Sequence, residues 1–562
     1  MKLTVKPGGS ATIKLNRINI AERLYRITGE GIYHDSVLLG QRTPLKRPLL
    51  NGQVLGQDTV IATLYRGRIY WCWGDTEKPS YPFGNFGASG ATSELPGRGG
   101  LDPSLGVDLT YFVDQTGFSK PMCPNFGPGL QWIESLIAFR DERGVERLLA
   151  RVASADGLKG THDWHVAMFN DEKQIFESLV RWDIRDMHDV TTPFSARVGT
   201  NHYFYVYPNY RVKADLHSLT NRAAYEAFTC LAPPARYEGS ASKLNRTPEG
   251  QLRYEWRAGA DRMDGPRMRE LTKAGLLKPE EGWRQLYDIE TGRPIHTDRG
   301  SVCWNAYRRR WIMITGGLPG EVWFAEADTP LGPWVYGRRV VSHDHYNFYN
   351  PTQHPFFDQE GGRAIYFEGT YTASFSGAKE KTPRYDYNQI MYRLRLDDPR
   401  LALPAPVYTL RQPGGATRIM MRDQIEVSDA WERIESLAFF AMPPERRREG
   451  LIPLYGNADN IATALRDESD PQRNRKGVLS LAVPAGTGQS GTNRAKEFNS
   501  PALVPLYAYR HASDGTQFYA VDPDIADSGA TRLAEPVCRV WRNPMALLIL
   551  DSMARPVLTR GK

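Results

Sequence analysis

From residue 56 onward the sequence repeats one theme. Short runs rich in Val, Ile, Tyr, Phe and Trp are each closed by a cluster of Gly, Pro, Asn or Asp. Runs of this kind read as β-strands bounded by turns. They fall into five groups. The first holds 58–75 and 108–113; the second holds 132–139, 146–152, 164–169 and 175–182. The third holds 201–207 and 223–230, and the fourth 301–307, 311–315, 321–327 and 334–341. The fifth holds 352–357, 363–370 and 389–394. Little helical periodicity separates them. Repeated small antiparallel groups predict sheets arranged radially, so the expected fold is all-β: a five-bladed β-propeller over 51–400. With 51 Gly and 39 Pro in 562 residues the chain is turn-rich, and 41% apolar residues suffice for a buried core.

The flanks read differently. Residues 1–50 are expected to pack on the propeller as a lead segment. Residues 236–298 are polar, carry a short helix pattern at 266–277, and read as an insertion lying over one face. The proline-rich LALPAPVYTLRQPGGA at 401–416 reads as a linker, and 417–562 as a small β-rich domain. There IPLY (452–455) returns as VPLY (504–507), with PVCRVW (536–541) as a looser copy. The run LYAYRHASDGTQFYAVD resembles the tyrosine-rich, trefoil-like repeat domains that accompany secreted bacterial hydrolases, with Gln517 where His is usual. That resemblance implies a carbohydrate-binding or adhesive module.

Charge and cysteine content exclude several classes. A net charge of +7 is mild for this length, and the runs Arg308–Arg310 and Arg446–Arg448 read as solvated faces. No basic stripe with interleaved aromatics is present, so no nucleic-acid partner is expected. No run of 18 apolar residues occurs, so no membrane partner is expected. The N-terminus lacks an apolar signal core. An extracellular or periplasmic location follows only from the carbohydrate reading below, and oligomeric state has no signature. The five cysteines are scattered without a CxxC, which argues against a disulfide framework or zinc site, and Cys72 and Cys303 read as core residues. His162 with His165, and His343 with His345, lack a third ligand, so neither metal nor cofactor is expected, while a channel calcium stays open.

The chemistry is expected at the first hairpin, GQDTVIATLYRGRIYWCWGDT. Arg66-Gly67 is a two-residue turn signal. Counting outward in step places Asp58 opposite Asp75, where like charges sit close. In a propeller the starts of inner strands and the ends of second strands converge on one channel rim. Glu134 in LQWIES, Asn350 and His354 in FYNPTQHP, and Glu368 in IYFEGTYT take comparable positions. Carboxylates forced together part in proton affinity, and glycosidic cleavage needs one protonated and one ionised carboxyl. Asp58 and Asp75 are therefore the expected catalytic pair, with Glu368 and Glu134 as second choices. Trp73, Tyr81, Tyr349, Asn350 and His354 are expected to bind a carbohydrate substrate.

The D-x(16)-D spacing with Gly74-Asp75-Thr76 resembles the first blade of five-bladed propeller glycosidases, most closely the family that includes bacterial endo-D-arabinanases. The resemblance implies that its essential aspartates map onto Asp58 and Asp75. This chain departs from the family phrase at Glu77-Lys78-Pro79. The run EVWFAEADTPLGPW also resembles a blade phrase of arabinanase- and xylosidase-like propellers. Two other functions compete: a non-catalytic glycan-binding propeller, and a polysaccharide lyase using His354 with Tyr349 or Tyr371.

Overall fold

A computed structural model describes residues 7–557, apart from 30, 32, 80–86, 157–159, 184–191, 208, 235, 375, 380–385, 412–416, 422–432, 458–459, 463–477, 486–498, 516, 526–528, 546–549 and 552. Five antiparallel-based sheets follow one another along the chain and form a five-bladed β-propeller. Blade 1 is Ile61–Tyr65, Arg68–Trp73, Ser89–Ser93 and Thr110–Tyr111. Blade 2 is Leu130–Arg140, Glu146–Ala155, Thr161–Asn170 and Ile175–Asp183. Blade 3 begins with Phe194–Val198 and Asn201–Tyr207, blade 4 with Gly300–Asn305 and Arg310–Gly316, and blade 5 with Asn347–Gln353 and Ala364–Thr372.

The blades stack through large apolar side chains on both sheet faces. In blade 4, Val302, Trp311, Met313 and Ala325 pack toward Tyr203 and Tyr205 of blade 3. Ile312, Ile314, Val322 and Phe324 pack toward Phe348, Ile365 and Phe367 of blade 5. This follows from the two-residue period of a strand, which sends neighbours to opposite faces. Because both faces are buried, the runs read as continuously apolar rather than alternating. All five cysteines are buried and free.

Both chain ends stitch the ring. The strand Glu22–Arg26, inside the segment read as a lead, pairs with Asn388–Arg395 and supplies the outermost strand of blade 5. The strand Ala554–Pro556 pairs with Phe194–Val198 of blade 3. The insertion does not simply cover a face. Its strands Glu255–Ala258 and Arg284–Asp288 extend blades 3 and 4, the second in parallel. Its helix, Gly265–Lys273, is capped by the Asp264 side chain and buries Met268 and Leu271.

The linker expectation also gives way. Residues 405–411 form a strand that pairs with Thr417–Met421 and Arg433–Ala441. The C-terminal part is β-rich, in a six-stranded and a three-stranded sheet. IPLY lies in the three-stranded sheet, whereas VPLY and PVCRVW lie in strands of the six-stranded sheet that pair with each other. No helix among the described residues is long and apolar enough to cross a membrane.

Candidate active site

The first hairpin has the counted register. Ile61 faces Cys72, Leu64 faces Ile69 and Tyr65 faces Arg68. Arg66 and Gly67 both have positive φ (49° and 76°), as a type I′ turn requires. The register continues past the strands, because Gln57 faces Thr76 and Gly56 faces Glu77. Asp58 and Asp75 therefore oppose each other, with Asp58 N donating to Asp75 O at 3.2 Å.

Asp58 is held from three sides. Its Oδ1 accepts from Asp75 N at 2.9 Å, and its Oδ2 accepts from the Tyr349 hydroxyl at 2.9 Å. The Tyr387 hydroxyl donates to it as well. Gly74 makes room for it, since a Cβ there would stand 2.3 Å from Asp58 Oδ1. Burial, and then the charge of Asp75, push the Asp58 carboxyl up to about 7, against the pull of its three donors. Burial also raises Asp75, while the Trp132 indole N–H, 2.8 Å from Oδ1, pulls the other way. The Asp75 charge thus favours keeping the proton on Asp58.

The backbone around Asp58 is strained. Thr59, Asn350 and Tyr387 all have left-handed φ (48°, 49° and 52°) without being glycine. Asn350 Nδ2 donates to Thr59 Oγ1 at 2.8 Å, and Thr59 N donates to Thr370 Oγ1 at 3.0 Å, so side chains of blade 5 clamp the approach to blade 1. Such strain persists only where surrounding contacts over-determine it, and it concentrates at functional sites.

In the neighbouring blade 2, Glu134 sits where the pairing of the inner strand slips between Ile133 and Ser135. A bulge of this kind re-aims a side chain. Its carboxylate meets Arg299 Nη1 at 2.8 Å, at the start of blade 4's inner strand. The rim thus carries a carboxylate pair in blade 1 and an ion pair joining blades 2 and 4.

The other candidates fall elsewhere. Glu368 is fully buried in mid-strand, and its Oε1 lies 2.6 Å from His354 Nε2, which is 1% exposed. Burial raises the Glu368 carboxyl, and His354 lowers it. This pair is enclosed by Trp71 and Phe356, off the rim, so neither residue faces a substrate. Trp73 is also fully buried, stacked on Trp71, and is a core residue rather than a sugar platform. Tyr81 lies outside the described residues. His343 is committed to Gly320 O and the Tyr392 hydroxyl. Among the described residues no group of three or more His, Cys, Asp or Glu is placed to hold a metal.

Sequence reasoning missed Trp132, Tyr387 and Arg299. Trp132 stands two residues from Glu134 in the same LQWIES phrase, where an aromatic at a strand start was a visible signal. Tyr387 and Arg299 reach the site from positions far along the chain and carry no local signature.

No family model matches the chain. No curated protein matches it. Among solved structures, an exo-β-1,3-galactanase from Clostridium thermocellum is 10% identical, with 88% of this chain and 98% of that chain covered, at a TM-score of 0.33. An exo-β-1,3-galactanase from Phanerochaete chrysosporium, with β-1,3-galactotriose, is 8% identical over 86% of this chain and 91% of that one, at 0.34. A thermostable family-43 glycoside hydrolase is 10% identical over 61% and 91%, at 0.29. Likeness this distant carries no argument about chemistry, which rests on this chain's own residues.

Proposed function

We propose that this protein is a glycoside hydrolase that cleaves a poly- or oligosaccharide at the propeller's channel mouth. The observation that carries the reading is the opposed Asp58/Asp75 pair, with Asp58 pushed up to about 7. A carboxyl that keeps its proton near neutrality can assist a leaving oxygen, and an ionised neighbour can activate water or attack. The three donors on Asp58 fix it in place. Asp75, with one oxygen on Trp132, is the member presented to substrate. Glu134, paired with Arg299, lines the channel as a fixed anion able to take sugar hydroxyls, as Asn350 could at the opposite side.

The first-blade resemblance makes D-arabinan the first substrate to try, and the tyrosine-rich C-terminal sheet a candidate glycan-binding surface. The lyase reading loses its base, because His354 is buried against Glu368 while Tyr349 is engaged with Asp58.

The test is release of reducing ends from a panel of polysaccharides headed by arabinans. Wild-type protein is expected to release them, and Asp75→Asn to abolish release while circular dichroism stays unchanged. Glycan retained without cleavage by both proteins would make the propeller a binding module. Unsaturated products absorbing in the ultraviolet would restore the lyase.

A further inference from the structure

Asp58 and Asp75 are flanked in sequence by Gln57 and Thr76, both fully buried, and blade 5 meets them with two more fully buried polar side chains, Thr370 and Gln389. Gln57 is held by the Tyr111 hydroxyl, which donates to its Oε1 at 2.8 Å. Gln389 Nε2 reaches over from blade 5 and donates to Gln57 O at 3.1 Å and to Thr370 Oγ1 at 2.8 Å.

The direction of each hydrogen bond follows from groups that have no choice. A carbonyl oxygen only accepts, so the Gln389 atom facing Gln57 O is the amide nitrogen. A backbone N–H only donates, and that of Thr59 reaches Thr370 Oγ1 at 3.0 Å. Two donors thus fill both acceptor sites of the Thr370 hydroxyl, and its own proton is left to donate. Thr370 stands directly opposite Tyr349 in the pairing of blade 5's first two strands, and the Tyr349 hydroxyl accepts that proton. Tyr349 in turn donates to Asp58 Oδ2 at 2.9 Å. A tyrosine committed as a donor favours the ionised carboxyl. Among the described residues the titratable groups that face Asp58 are Asp75, which raises its proton affinity, and Tyr349 and Tyr387, which lower it.

We propose that Thr370 is a positioning residue for this site: by committing the Tyr349 hydroxyl as a donor to Asp58, it sets how readily Asp58 gives up its proton. The bearing of this on hydrolysis rests on the function proposed above; the hydrogen-bond relay does not.

Infrared-monitored titration of the Asp58 carboxyl needs no turnover, so it tests the relay whether or not the protein hydrolyses a glycan. Thr370→Val keeps the side-chain shape but lets the Tyr349 hydroxyl turn away from Asp58 or accept from it. The Asp58 midpoint is expected to rise by about half a pH unit or more. Thr370→Ser, which retains the hydroxyl, is expected to titrate as the wild type does. Added to Tyr349→Phe, Thr370→Val is expected to move the midpoint no further, because the relay is already cut. Gln389→Met frees the Thr370 hydroxyl to turn, is expected to give a smaller rise, and carries the test if Thr370→Val does not fold. Where hydrolysis is found, the alkaline limb of its pH profile should follow the midpoint; a lack of hydrolysis bears on the proposed function alone. An unchanged or lowered midpoint in Thr370→Val, or in Gln389→Met where it stands alone, would overturn the proposal. So would an equal rise in Thr370→Ser, or a rise from Thr370→Val that Tyr349→Phe leaves undiminished.

Discussion

Blades 1 and 5 each contribute a carboxylate from their second strand, and the two end in opposite circumstances. Asp75 lies two residues beyond the end of Arg68–Trp73, at the rim and partly exposed. Glu368 lies four residues before the end of Ala364–Thr372, fully buried. Counted from the end of its own strand, each carboxylate thus sits differently, the two offsets differing by six residues. On the proposed reading, the same residue chemistry serves catalysis in one blade and packing in the other. What differs is where the strand stops, and strand ends are set by turns that hydrophobic patterns mark poorly.

The contrast breaks most sharply on activity. Asp58→Asn or Asp75→Asn is expected to cost about 10²–10⁴-fold in turnover, whereas Glu368→Gln stays within a few-fold of wild type. Steady-state rates on the first substrate found decide it. Stability should run the other way. Glu368→Ala leaves His354 buried without its partner and is expected to cost about 3–5 kcal/mol, read by chemical denaturation.

A third prediction concerns pH. The folded-state affinity of Asp58 is raised above its unfolded value of 3.8. Its contribution to stability is therefore complete below about pH 4 and is lost as pH rises through about 7. At about 1.4 kcal/mol per unit this amounts to at most about 4 kcal/mol. Asp58→Asn should flatten the decline, so denaturation at pH 5 and pH 8 compares the two. Activity that needs the Asp58 proton should fall on the alkaline side of the same range. The smallest effect is expected from Tyr349→Phe. Losing a donor to the ionised form, worth about 1 kcal/mol, raises Asp58 further and moves the alkaline limb up by under one pH unit. A limb that moves down would remove Tyr349 from the pair's hydrogen bonding.

Much of this was legible in the sequence. The five strand groups and the hairpin register follow from apolar runs and one two-residue turn, both local signals. Cross-blade facts were not. The enclosure of Glu368 by His354, the reach of Arg299 to Glu134 and the clamp of Tyr349 and Tyr387 on Asp58 join residues far apart in the chain. The arginine runs misled for a related reason: composition suggests solvent, but Glu326 draws Arg308, Arg310 and Arg446 inward. Strands supplied by residues 22–26 and 405–411 were hidden by their setting in segments read as lead and linker.

The central claim is that Asp58, beside Asp75 at the channel mouth, keeps its proton to near pH 7. Infrared-monitored titration of the wild type against Asp58→Asn and Asp75→Asn tests it directly. The account predicts a carboxyl that titrates near pH 7, disappears in Asp58→Asn, and shifts to lower pH in Asp75→Asn, where the neighbouring charge is gone. A wild-type protein with no carboxyl titrating above about pH 5, or one whose high-pH carboxyl survives both substitutions, would contradict it.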